Sequence, residues 1–146
     1  MSNCKDQMKE IYKTFDHTAD LGIEVYGKNQ HELFINAGRA LFDLITDLDT
    51  IELKTSLSLN LEAVDREDLL VSWLSELLYF HQSEGYLLND FVLHDLEEQS
   101  LRATVKGELY EAQRHELIRE IKAVTYHQLT VARENERWKA RIVFDI

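Results

Sequence analysis

The chain has 146 residues, the size of one ordinary domain, and 45% of them are apolar, enough to bury a core without disulfide or metal staples. Sixteen Lys and Arg stand against 27 Asp and Glu, a net charge of −11 that repels phosphate backbones and anionic lipid. A cation or a basic protein surface is the partner this charge suits, and no direct nucleic-acid binding and no membrane association are expected. Cys4 is the single cysteine, which excludes a disulfide framework or a thiolate zinc site within one chain.

Residues 1–10, MSNCKDQMKE, read as a flexible charged extension ahead of one domain over 11–146, and without an apolar export stretch the protein is expected in the cytoplasm. Residues 11–15 form a short predicted strand. Residues 21–27 alternate with period two and end on a glycine, a second strand. Asn29 followed by Glu32 is a capping-box-like start, and Leu33, Ala37, Ala40, Leu41, Leu44 and Ile45 share one face of a helix over 30–46. Leu53, Thr55, Leu57, Leu59 and Leu61 alternate with polar partners and predict a half-buried strand. Asp65 is an N-cap for a densely apolar helix over 66–82, with Gly85 just beyond its end. A hairpin over 91–96 and 101–107, one helical turn at 111–116, and strands over 118–131 and 138–144 complete the chain. Without a repeating βαβ rhythm, the expected class is α+β: two layers, a mainly antiparallel sheet with two principal helices on one face.

The chemistry-bearing motifs of most enzymes are missing. His31-Glu32 and His115-Glu116 start like a zincin motif but lack a second histidine at the right offset. There is no glycine-rich phosphate loop and no nucleophile elbow. Trp73, Tyr79 and Phe80 stand among apolar neighbours and are expected in the core rather than as a stacking platform. Two places remain. Asp16-His17-Thr18-Ala19-Asp20 crowds two carboxylates and an imidazole into a connector, which a capped turn also explains. The apolar terminal strand presents Asp145 beside the α-carboxylate of Ile146, which a plain final strand also explains. Neighbouring anions repel unless a cation lies between them, and hard oxygen donors suit Ca²⁺, Mg²⁺ or Mn²⁺.

The stretch Phe15-Asp16-His17-Thr18-Ala19-Asp20-Leu21-Gly22 resembles the opening signature of the archease family. The resemblance continues through Ala40-Leu41-Phe42-Asp43-Leu44-Ile45-Thr46-Asp47, through Asp68-Leu69-Leu70-Val71-Ser72-Trp73-Leu74-Ser75-Glu76-Leu77-Leu78, and through Glu120-Ile121-Lys122-Ala123-Val124-Thr125-Tyr126-His127-Gln128-Leu129 to Val143-Phe144-Asp145-Ile146. It implies a non-enzymatic accessory protein that assists a GTP-dependent RNA ligase in tRNA splicing and RNA repair, promoting ligase guanylylation and multiple turnover. It further implies a metal site at Asp20, Asp145 and Ile146, with calcium the ion usually seen. Asp16 and His17 would stand close by or face the partner, and Lys122 and His127 would line the same surface. Two rival functions are a chaperone for a nucleic-acid-modifying enzyme such as a tRNA methylase, and a metal-dependent hydrolase with His17 as base.

Overall fold

Alternating side chains decide which face of each strand turns inward, and cap residues decide where each helix begins. A computed structural model describes residues 4–17 and 20–146, with side chains described at 8–15 and 20–146. In chain order the elements are α1 (Cys4–Ile11), β1 (Tyr12–His17), β2 (Asp20–Gly27), α2 (Gln30–Ile45), a 3-10 turn at Leu48–Thr50, β3 (Thr55–Glu62), α3 (Arg66–Glu84), β4 (Tyr86–Leu96), β5 (Ser100–Leu109), β6 (Ala123–Glu134) and β7 (Arg137–Asp145). The class is α+β, and every strand pairing is antiparallel, as expected.

The expected single sheet is divided in two. One runs β1-β2-β7-β6 and the other β3-β5-β4. The hairpin of β4 and β5 recruits β3, while the chain ends are left to pair with one another. The two principal helices hold both sheets in one core, with α2 packed on β2 and β4, and α3 on β6 and β4.

Both helices start where their caps predict. The Asn29 side chain accepts from the Glu32 amide at 2.8 Å, and Asp65 accepts from the Asp68 amide at 2.8 Å. Gly85, at φ +81, takes the left-handed turn that closes α3. The predicted apolar stripe of α2 is fully enclosed, and the Trp73 indole of α3 donates to the Phe34 carbonyl of α2 at 2.8 Å. Trp73 is core and Phe80 packs against it, but Tyr79 is 51% exposed because it falls on the outer face of α3.

Three local points sharpen the expectations. Cys4–Ile11, most of it in the N-terminal extension, is helical and Met8 is buried, since Met8 and Ile11 fall on one side of its last turn. Residues 111–116 hold the expected single turn, with the Arg114 and His115 amides both donating to the Glu111 carbonyl. Finally, β6 begins at Ala123 rather than 118. The Ile118 amide is taken by the Ile45 carbonyl at 2.7 Å and Leu117 bridges Thr46, so this stretch is tied to the end of α2 and cannot join a ladder.

Candidate functional site

In an antiparallel pair, residues directly opposite project from the same face. The register of β2 on β7 therefore sorts two sets of side chains. Leu21, Ile23 and Val25 oppose Phe144, Ile142 and Ala140 on the core side. On the other side Asp20 opposes Asp145, Gly22 opposes Val143, and Glu24 opposes Arg141. The start of β2 and the end of β7 thus meet, and they meet through the two aspartates. Asp20 is half-buried, Asp145 is exposed, and Ile146 follows at 43% exposure.

The neighbouring strands extend this row. His17 of β1 is the register partner of Asp20, and Ala123 of β6 is that of Asp145. The backbone amide of Lys122 donates to the Asp145 carbonyl at 2.7 Å, which fixes the last strand where the aspartate projects. Asp16 and His17 have strand backbone, while their side chains lie outside the described residues, as do Thr18 and Ala19. Lys122 is thus joined to the aspartate row through its main chain.

His127 is placed differently. Residues 126–129 stand opposite the single residue Ile142, a bulge in the edge strand β6 with Gln128 at φ +54. His127 is exposed in this bulge, its amide donating to the Thr125 hydroxyl at 3.2 Å. The bulge is tethered at both ends, since the Tyr126 hydroxyl donates to Asp68 at 2.6 Å and Arg141 donates to Gln128 at 3.5 Å.

Sequence reading missed the groups next to the aspartates. The Phe15 ring lies across Gly22, leaving no room for a Cβ there, and the Arg141 guanidinium stacks on that ring at 3.9 Å. Arg141 also stands 3.6 Å from Glu24, whose carboxylate pairs with Lys13 at 3.2 Å. Counting by twos from Asp20 and Asp145 would have found Glu24 and Arg141; the position of Phe15 depends on β1 pairing.

What Asp20, Asp145 and a main-chain oxygen of Ile146 offer is an all-oxygen, anionic donor set. Among the described residues no cluster of three or more His, Cys, Asp or Glu side chains stands ready for a metal. No helix among them is long and apolar enough to cross a membrane.

A second charged cluster went unforeseen. Glu108 of β5 is 3% exposed and is paired with Arg114, with the Glu52 amide at 2.6 Å and with His115 at 3.0 Å. His115 Nδ1 accepts from the Glu111 amide at 2.9 Å, so its Nε2 carries the proton that is donated to Glu108. Burial alone would raise the Glu108 carboxyl, but Arg114, the Glu52 amide and His115 hold it down at about 2.

Comparison with known proteins agrees with the fold. The model of the Archease protein family (MTH1598/TM1083) matches residues 12–146. The protein archease of Methanopyrus kandleri is 38% identical over 138 residues, covering 92% of this chain and 99% of its own. The solution structure of Methanobacterium thermoautotrophicum protein 1598 superposes with a TM-score of 0.80 at 33% identity, covering 94% of this chain and 99% of that one. The crystal structure of an archease from Thermotoga maritima, described as a possible chaperone, superposes with a TM-score of 0.60 at 25% identity over 92% and 96% of the two chains. With the family model spanning all but the first eleven residues, this chain belongs to the archease family.

Proposed function

We propose that this archease is a metal-binding accessory protein that activates a GTP-dependent RNA ligase in tRNA splicing or RNA repair, promoting guanylylation of the ligase and its multiple turnover. The observation that carries the reading is the register of Asp20 on Asp145, which sets two carboxylates side by side at one end of a sheet face. Asp20, Asp145 and a main-chain oxygen of Ile146 would hold the ion, and their hardness favours Ca²⁺, with Mg²⁺ or Mn²⁺ as alternatives. A bound cation supplies positive charge to a phosphoryl group that is passing between oxygen or nitrogen atoms. This chain's own part is to fix the donors on a rigid ladder and to present them at its open end, where a partner's reacting phosphate can approach.

The test is ligation by a cognate RNA ligase under single- and multiple-turnover conditions, with wild type, Asp20→Ala and Asp145→Ala. Wild type should accelerate guanylylation and sustain turnover while both variants fail. Equal stimulation by the variants would remove the metal from the mechanism.

The chaperone reading draws on the description of the Thermotoga maritima relative. It predicts that suppression of client aggregation, followed by light scattering, is the same with and without a chelator. The ligase reading requires that a chelator abolish stimulation.

A further inference from the structure

Residues 110–122 have no helix and no strand, yet they are pinned along their length. The Tyr110 amide donates to the Gly85 carbonyl at 2.8 Å, and Arg114 and His115 are anchored on Glu108. The Thr46 hydroxyl donates to the Glu116 carbonyl at 2.7 Å, Arg119 donates to the Leu44 carbonyl at 2.8 Å, and Gln82 donates to the Ile121 carbonyl at 2.9 Å. The backbone is therefore a rigid strap; Ile121 is buried, while Tyr110, Leu117 and Ile118, with Leu109 just ahead of them, turn outward. Leu109, Tyr110, Leu117 and Ile118 are 54, 39, 46 and 50% exposed. Four large exposed apolar side chains within ten residues have no folding reason and mark a contact surface.

Between the strap and the end of α3 lies an open cavity of about 450 Å³, lined by His81, Gln82, Tyr110, Leu117, Glu120 and Ile121 with Gly85 at its edge. Its walls combine the Tyr110 ring and the aliphatic chains of Leu117 and Ile121 with the polar side chains of His81, Gln82 and Glu120. Burial holds the His81 imidazole below its ordinary value, so it is neutral at pH 7 and Glu120 is the charge of the wall. A slot that joins an aromatic and aliphatic wall to one carboxylate, Glu120, matches a Lys or Arg side chain, whose stem is apolar and whose head is cationic. The chain's net charge of −11 favours a basic partner in the same sense. The strap also leads to the aspartates, because Gln82 holds the Lys122 carbonyl at 3.0 Å and the Lys122 amide holds Asp145.

We propose that the strap over 110–122 is the docking edge for the ligase and that the cavity beside it receives a Lys or Arg side chain from a basic segment of that partner, with Leu117 and Tyr110 on its stem and Glu120 on its head. This rests on the ligase reading and adds the place of contact. The buried Glu108–Arg114–His115 cluster then acquires a role, as the footing that keeps the strap in its docking shape before the partner arrives.

The experiment measures ligase binding by calorimetry, together with ligation turnover, for the full chain and for Leu117→Asp, Glu120→Lys and Val64→Asp. Val64 is 75% exposed at the start of α3 and serves as the control. Leu117→Asp and Glu120→Lys should each weaken ligase binding at least tenfold, while Val64→Asp binds as wild type and all three keep wild-type melting temperature and calcium affinity. A wild type that binds and stimulates the ligase alongside variants that do so equally would overturn the docking edge and leave the ligase reading standing. A wild type that neither binds nor stimulates would overturn both. A variant that loses calcium affinity along with ligase binding would overturn the separate docking role.

Discussion

Two groups of charges sit on this fold, and they are built in opposite ways. Glu108 is enclosed and surrounded by donors from its own chain, namely Arg114, His115 and the Glu52 amide. Asp20 and Asp145 bring like charges together near the surface, at the end of a ladder. The first group is complete within the molecule and fixes a loop. The second is the pair to which the proposed function gives an outside cation. Buried carboxylates matched from within serve architecture, whereas carboxylates placed opposite each other at the end of a ladder are suited to a ligand.

The sharpest way to break this contrast is to remove Glu108. Glu108→Ala leaves His115 and the Glu52 amide without their acceptor, and Arg114 with only Glu111 and Glu52, and should cost about 3–5 kcal/mol in urea unfolding. The same carboxyl has a pH signature. Its folded value, about 2, lies below the ordinary 4.5, so its stabilisation is full above that ordinary value and fades as pH falls through the window between them. The stability gap between wild type and Glu108→Gln should therefore close from pH 4.5 towards 2. A gap that stays constant in acid would mean that Glu108 carries no charge-dependent role.

Next in size is the effect of metal on the aspartate pair. With calcium at about 100 times its dissociation constant, linkage predicts about 2.7 kcal/mol of added stability for wild type and none for Asp145→Asn. Thermal melts with calcium and with chelator read this directly. Gly22→Ala should cost about 1–3 kcal/mol, because its new methyl group displaces the Phe15 ring from the row beside the aspartates. It should also shrink the calcium-induced shift, which chemical unfolding with and without calcium would show. The smallest effect is the most discriminating. In chelator, Asp145→Asn should match wild type within about 0.5 kcal/mol, since Asp145 is exposed and no ion pair of it stands among the described residues. A large loss there would make the aspartate pair as architectural as Glu108.

Much of this molecule could be read from its sequence where periodicity and caps speak locally. The stripe of α2, the caps Asn29 and Asp65, the stop at Gly85 and the alternation of β2 all describe neighbours within a few residues. The meeting of Asp20 with Asp145 was legible as a resemblance, and strand register gives it a structural basis. The division into two sheets was not legible, because alternation marks a strand and says nothing of its partner. The Glu108 cluster escaped notice for a related reason. Glu108 ends an alternating strand and His115 looked like half of a zinc motif, and only the fold-back of 110–117 joins them. Residues 118–122 read as strand by their composition, yet the spare carbonyls of α2 bind them first.

The bulge in β6 carries a last consequence. That strand is the open margin of its sheet, where unpaired amides and carbonyls invite an extended segment of another molecule to zip alongside. Its ladder register is interrupted between Thr125 and Thr130, so an incoming strand would lose alignment after three residues. The interruption thereby keeps the longest edge strand of the two sheets from seeding fibrils.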